Sequence, residues 1–307
     1  MNIVLITGGA GFISSYLVDA LLKTGRYFVV AVDNFLTGKK EFISTHSNYV
    51  FIQCNVNNPL EIRSVMEKFH FDYIFHYAAV VGVSRTIENP KIVLDDIIGL
   101  QLIFELAKEM NVKRIFFSSS SEVYGEPVHL PQHEHDTPLN SRLPYAVVKN
   151  LGECFCRAYK KEYGLNYTIF RFFNTYGPRQ SEDFVIAKFL RAALKGDDIA
   201  VYGDGNQSRT FCYIDDNIDF TMKVLEQSLF INDVVNVGDD KLVTIYELAK
   251  TVIKLTGSAS GITNLPPLKE GDMSRRQPDN TKMKEALQKD LITLDDGISK
   301  LLATYLP

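Results

Sequence analysis

Through the first 175 residues, short runs of β-branched and aromatic residues alternate with longer segments in which apolar positions recur every three or four residues. The runs at 2–7, 28–33, 49–53, 73–76, 114–118 and 167–171 have the length and composition of strands. Between most of them the spacing predicts helices over 12–24, 59–69, 90–110 and 145–163. Strands alternating with helices predict an α/β fold, a doubly wound, Rossmann-like parallel sheet with ligand at the strand C-termini. After Gly177-Pro178 the rhythm breaks into a helix over about 182–195, a Gly203-Asp204-Gly205-Asn206 turn, a strand near 210–214, further helices and a Pro266-Pro267 loop. The expected organisation is a first domain over 1–175, with parts of 205–240 returning to it, and a smaller mixed α/β lobe over 176–307. Substrate would lie in the cleft between them.

The stretch Thr7-Gly8-Gly9-Ala10-Gly11-Phe12-Ile13-Ser14 follows the first strand and opens the first helix. Gly8 and Gly11 carry no side chain, so the backbone can turn tightly and approach a pyrophosphate. That anion would meet the unpaired N–H groups that open the helix, around Phe12 and Ile13, and the positive end of its dipole. Asp33 ends the second strand, where a carboxylate accepts from both adenosine ribose hydroxyls and repels the extra phosphate of NADP. NAD is therefore the expected cofactor, although Lys39 and Lys40 lie close enough in sequence to soften the preference. Asn55 and Val56, after the third strand, are placed to flank the adenine. Ala78 and Ala79, after the fourth, are small enough to let the cofactor backbone pass.

Tyr145 and Lys149 stand four apart in a predicted helix and so share a face. A nearby ammonium favours the phenolate over a phenol whose ordinary pKa is about 10. Such a tyrosine can take a proton from a sugar hydroxyl while the carbon gives hydride to a nicotinamide. The run Ser118 to Ser121 lies at the expected active edge. In the second lobe Arg209 offers a planar fork of donors suited to a diphosphate, with room left by Gly203, Gly205 and Ser208. Lys269 and Arg275 or Arg276 follow the Pro-Pro loop and could also reach phosphate.

Composition narrows the partners. The 307 residues are 46% hydrophobic and 23% charged with a net charge of −4, as in an ordinary globular protein. No basic block marks a nucleic-acid or anionic-lipid surface. Apolar stretches are strand-sized and no basic n-region precedes the first strand, so a cytoplasmic location with no membrane partner is expected. The four scattered cysteines make no disulfide framework, and Cys154 and Cys156 point to different sides of a helix. His129, His133 and His135 sit among prolines and acids without structural-site spacing, and no metal is expected.

These residues carry a resemblance, over nearly the whole chain, to the extended short-chain dehydrogenase/reductase family of nucleotide-sugar epimerases, dehydratases and decarboxylases. Thr7 to Ser14 resembles its TGxxGxxG and Asp33-Asn34 its ribose contacts. Ser118 to Gly125 (SSSSEVYG) resembles its catalytic serine strand, Tyr145 to Lys149 its YxxxK, and Arg171 to Arg179 (RFFNTYGPR) its substrate-facing turn. Tyr202 to Asp216 resembles its nucleotide-diphosphate clamp. The resemblance implies that Ser120 hydrogen-bonds the reacting hydroxyl, Tyr145 is the acid/base, and Lys149 holds the nicotinamide ribose. It implies that Asn174 and Arg209 hold the substrate pyrophosphate and that Tyr202 lies by the base. Two positions depart from the family's habit, Asp96 where asparagine is frequent and Asn55 where aspartate is frequent.

All family members begin by oxidising C4 of the sugar, and Glu122 bears on the fate of the keto sugar. Two residues after Ser120 on a strand, it would share that residue's face and point into the cleft. In dehydratases such a glutamate removes the C5 proton, often beside an aspartate whose place Ser121 takes, and UDP-glucuronate decarboxylases also carry Ser-Glu. The segment Ala78 to Thr86, with Glu88-Asn89-Pro90, looks more like the epimerase branch. The expectation is a 4-epimerase acting on a UDP-sugar, with decarboxylase, 4,6-dehydratase and a regulatory NAD-binding protein as alternatives. Ile92, Ile103, Phe104, Phe155 and Tyr159 put apolar groups on more than one face of helices 90–110 and 145–163, which predicts a homodimer through them.

Overall fold

The computed structural model describes residues 1–82, 86, 88–267 and 273–305. It divides into two compact units, Met1–Val123 with Ser141–Phe172 and Ile218–Val235, and Tyr124–Asn140 with Phe173–Asn217 and Asn236–Pro307.

The first unit is organised by a sheet of β1 (Asn2–Thr7), β2 (Tyr27–Asp33), β3 (Tyr49–Gln53), β4 (Tyr73–His76), β5 (Arg114–Ser120), β6 (Asn166–Phe172) and β11 (Asp233–Val237). The strand order is β11-β6-β5-β4-β1-β2-β3, and β1 to β6 pair in parallel. Val4, Leu5, Ile6 and Val29 to Val32 are buried without alternation, as strands covered on both faces require. The order reverses between β1 and β4, and crevices at such switch points hold ligands in open α/β sheets.

Four helices of this unit position the site: α1 (Phe12–Lys23), α2 (Pro59–Lys68), α3 (Pro90–Glu109) and α4 (Pro144–Tyr163). Three begin on proline, whose fixed φ suits a first turn. Asn58 caps α2 by accepting the Leu60 and Glu61 N–H groups, and Gly164 at φ 76° ends α4. The five side chains expected to give α3 and α4 a second face are mostly used inside the chain. Phe104 packs on Phe155 and Tyr159 at 5.6 and 5.3 Å between ring centroids, and Ile103 is fully buried, while Ile92 keeps 42% exposure.

Helix α4 lies close on β5. A Cβ at Gly152 would fall 2.1 Å from Cζ of Phe117, so only glycine permits this approach. One residue on, the buried Glu153 carboxylate accepts from Arg171 Nε at 2.8 Å and Nη2 at 2.7 Å, and from Ser119 Oγ at 2.7 Å. Arg171, which opens the turn expected to face substrate, is instead 1% exposed and paired in the core.

Among its described residues the second unit holds three short strand pairs. They are β7 (Thr175–Tyr176) with β10 (Cys212–Tyr213), β8 (Ile199–Tyr202) with β13 (Ile262–Leu265), and β9 (Ser208–Arg209) with β12 (Val243–Thr244). The strand expected near 210–214 is confined to β10, with a helix starting at Ile214. The helix expected from 182 starts at Val185, because Ser181 Oγ accepts the Asp183 N–H and holds a turn there. Among the described residues no helix is long and apolar enough to cross a membrane.

Candidate active site

Helix α1 has Gly11 as its N-cap, with no side-chain cap and no acidic residue in its first turn. Its opening N–H groups are therefore left for an anion, as a phosphate-binding turn requires. Gly8 is at φ +70°, and a Cβ there would lie 2.9 Å from Cα and N of Ala78. The turn thus presses on the strand end that carries Ala78 and Ala79. Gly8→Ala is expected to weaken NAD binding about tenfold, from the ~1–2 kcal/mol cost of the left-handed backbone alone, as read by fluorescence titration with NADH. Affinity within twofold of the parent would show that the turn does not depend on this glycine.

Asp33 ends β2 and is 8% exposed. Its Oδ2 accepts the Ala10 N–H at 3.1 Å and its Oδ1 the Phe35 N–H at 2.7 Å, which fixes the carboxylate beside the glycine turn. Burial pushes its carboxyl up, against the lowering effect of the Phe35, Ala10 and Asn34 backbone donors. Each oxygen keeps lone-pair capacity for a ribose hydroxyl. Asn34 and Asn55 spend their Oδ1 atoms locally, on Leu36 N–H at 2.9 Å and Asn57 N–H at 3.1 Å. An uncapped helix, a side-chain-free turn and an acid at the end of β2 together fit a dinucleotide.

Ser120 is the last residue of β5, and Ser121–Tyr124 forms a 3₁₀ turn. The strand therefore stops before Glu122, and strand alternation does not set its direction. The turn aims it instead, with the Glu122 N–H donated to Ser120 Oγ at 3.2 Å. Tyr145 and Lys149 lie on the first turns of α4, with the Lys149 ammonium 5.7 Å from the Tyr145 ring centroid and 5.3 Å from that of Phe117. Lys149 is 4% exposed, and its Nζ donates to Ser118 Oγ at 3.1 Å. Burial lowers its pKa to about 8, opposed by the charge of Asp96. A lysine so held is a short-range positive charge beside the Tyr145 phenol.

Three neighbours of this pair were not assigned roles from the sequence. Thr7 Oγ1 accepts the Tyr77 and Ala78 N–H groups, both at 3.1 Å, and so gives its own proton to His76 Nδ1 at 2.9 Å. His76 is therefore neutral, consistent with burial, and secondarily the Lys149 charge, taking its pKa down to about 3. Ser118 Oγ donates to the His76 carbonyl at 3.2 Å while receiving the lysine. The only signal in the sequence was polar residues ending otherwise apolar strands.

In the second unit Arg209 is 8% exposed on β9 and its Nη1 donates to the Ser208 carbonyl at 2.8 Å. A bridge between Ser208 and Arg275 runs the Arg275 backbone alongside β9, and Arg275 Nη2 donates to Gln277 Oε1 at 3.0 Å. The Asn174 Nδ2 is engaged by the Thr210 carbonyl at 2.9 Å, and its backbone is left-handed at φ 34°. Tyr202 lines a pocket of ≈ 310 Å³ with Asn206, Gln207, Pro267 and Ser274. Lys269 lies outside the described residues.

The NAD dependent epimerase/dehydratase family model matches residues 4–238. The chain is 36% identical over 299 residues to the UDP-N-acetyl-alpha-D-glucosaminuronate decarboxylase of Bacillus cytotoxicus, covering 92% of this chain and 91% of that one. It is 33% identical over 307 residues to a putative UDP-glucose 4-epimerase of Methanocaldococcus jannaschii, covering 97% of each. The crystal structure of the UDP-glucose 4-epimerase of Thermotoga maritima with UDP-glucose superposes with a TM-score of 0.92 at 31% identity, over 99% of this chain and 98% of that one. A glycine turn, an acid at the end of β2, a serine strand and a tyrosine-lysine helix follow one another along the chain, and the chain belongs to the NAD dependent epimerase/dehydratase family.

Proposed function

We propose that the protein is a nucleotide-sugar 4-epimerase acting on a UDP-sugar. The observation that carries the first step of this reading, oxidation at C4, is the buried Lys149, anchored by Ser118 beside the Tyr145 ring at the C-terminal edge of the sheet. Tyr145 Oη takes the proton of the sugar C4 hydroxyl, favoured as phenolate by the ammonium of Lys149. Ser120 Oγ, at the end of β5, hydrogen-bonds the same oxygen and holds it toward Tyr145. NAD, the cofactor of the family, would when bound accept the C4 hydride and give the same hydride back to the 4-keto carbon. Tyr145 then returns the proton after the 4-keto sugar has presented its other face, so product and substrate are isomers. Arg209 and Arg275 carry the fixed charge suited to a diphosphate, and Tyr202 a flat surface suited to a base. UDP is favoured because the Bacillus, Methanocaldococcus and Thermotoga relatives act on, or bind, UDP-sugars.

A second reading is decarboxylation of a UDP-uronate. It is supported by Glu122 next to the serine strand and by the decarboxylase from Bacillus cytotoxicus at 36% identity. Mass spectrometry of products, with chromatographic separation of isomers, discriminates the two. Pure enzyme and NAD would be incubated with UDP-glucose, UDP-N-acetylglucosamine, UDP-glucuronate, GDP-mannose and dTDP-glucose. A product of unchanged mass is expected, whereas carbon dioxide or water released from any of them would replace the epimerase reading with a lyase.

A further inference from the structure

Glu126, two residues after the 3₁₀ turn Ser121–Tyr124, reaches a segment 148 residues further along the chain. Its carboxylate oxygens accept the Ser274 N–H at 3.1 and 3.3 Å, and Oε1 also accepts the Ser274 hydroxyl. On its other side Ser274 is joined to β9. Its carbonyl accepts the Ser208 N–H at 3.1 Å, and the Ser208 carbonyl accepts the Arg276 N–H at 3.3 Å. Arg275, between these bonds, bridges to Ser208 and so lies alongside the strand that carries Arg209. All of these residues belong to the second unit.

The two segments stay together further along. Gln132, which is fully buried, donates its N–H to the Gln277 carbonyl at 2.7 Å and accepts the Asp279 N–H at 2.8 Å. Glu126, Ser274 and Arg275, by contrast, are exposed. At that exposed end the carboxylate makes the connection, through charge-assisted hydrogen bonds roughly twice as strong as neutral ones. The Arg275 side chain is braced as well, with Nη2 on Gln277 Oε1 at 3.0 Å and Gln277 Nε2 on the Asp240 carbonyl at 3.0 Å. Backbone and guanidinium are thus both held by the protein itself, which spares ligand binding the cost of ordering them.

We propose that Glu126 is a positioning residue for substrate binding, which pins Ser274 and so holds Arg275 beside Arg209 for the diphosphate of the substrate. The proposal rests on the reading of Arg209 and Arg275 as the diphosphate-binding pair. Because the carboxylate acts through Arg275, its loss weakens the hold on the diphosphate and leaves the dinucleotide site as it is.

The test is calorimetric titration with UDP of the NAD-loaded parent, Glu126→Ala, Arg275→Ala and the double variant. Glu126→Ala is expected to weaken UDP binding about tenfold, the low end of what hydrogen bonds to a charged group contribute, while NADH binds as to the parent in separate titrations. In the Arg275→Ala background the same change should cost less than about twofold, because the group it positions is gone. Glu126→Gln, which keeps an oxygen for Ser274, should bind UDP within about threefold of the parent. Full UDP affinity in Glu126→Ala with reduced affinity in Arg275→Ala overturns the proposal and leaves the diphosphate reading standing. Full affinity in both, or a parent that takes up no UDP, overturns that reading and the proposal with it. A loss that persists undiminished in the Arg275→Ala background also overturns the proposal, since Glu126 would then act elsewhere. If Glu126→Ala does not fold, Ser274→Ala, which removes the hydroxyl bond, carries the same comparison.

Discussion

Replacing Tyr145 by phenylalanine is expected to lower kcat by about 10²–10⁴-fold, the usual contribution of a positioned acid/base, while NAD still binds. The phenol oxygen is the group on this face of α4 proposed to exchange a proton with the C4 hydroxyl. The ring that carries it is half-buried beside Lys149, and phenylalanine keeps the ring. Loss of turnover with NADH titration and thermal unfolding unchanged would place the effect on the proton rather than on the fold. Turnover within fivefold of the parent would remove Tyr145 from the mechanism and leave Ser120 or Glu122 as the acid/base.

Glu153→Ala is expected to destabilise the protein by about 3–5 kcal/mol, the cost of leaving a buried partner charge uncompensated. Arg171 is 1% exposed, and its Nε and Nη2 each donate to Glu153. Burial alone would push the Glu153 carboxyl up, but Arg171, Ser119 and Arg157 outweigh it and hold its pKa below the ordinary carboxylate value. A carboxyl lowered in the folded state gives stability that is present above the unfolded pKa and lost as pH falls through the folded one. Urea unfolding at pH 7 should therefore show the full difference between parent and variant, and the gap should narrow in acid below the ordinary carboxylate range. The paired change Glu153→Met with Arg171→Met should recover most of the loss, because apolar side chains of similar volume replace buried ion pairs with little cost. A loss under about 1 kcal/mol in the single variant would mean that water reaches Arg171.

The pattern of apolar positions located the first six strands to within two residues at each end, because strands buried on both faces leave continuous runs of Val, Ile and Phe, and the half-buried edge strand β3 keeps such a run. The glycine turn and Asp33 were legible for a related reason, since their chemistry depends on position in a strand-turn-helix unit. Strand β11 has no such local signature. Its residues Asp233 to Val237 come after an irregular segment, and nothing local says that they pair beside β6. Arg171 looked substrate-facing because it opens a motif, whereas its burial depends on Glu153, eighteen residues earlier on another element. Glu122 was placed by strand alternation because the end of β5 at Ser120 is set by a 3₁₀ turn, and Ser-Glu-Val-Tyr carries no glycine or proline to announce it. The links from Thr7 to His76, from Ser118 to Lys149 and from Asp96 to Val80 all join residues distant in sequence, where periodicity gives no signal.

That β11 closes the edge beside β6 has a bearing on how the chain emerges during synthesis. Strand β6 ends at Phe172 and β11 begins at Asp233, with 60 residues between them. At about 5–20 residues per second the ribosome takes roughly 3–12 s to make that stretch. Throughout this interval the nascent sheet shows an unpaired parallel edge, rich in Tyr, Ile and Phe, to whatever lies nearby. The moment of greatest exposure to misassociation thus falls in mid-translation, and the late strand serves as the chain's own edge cover.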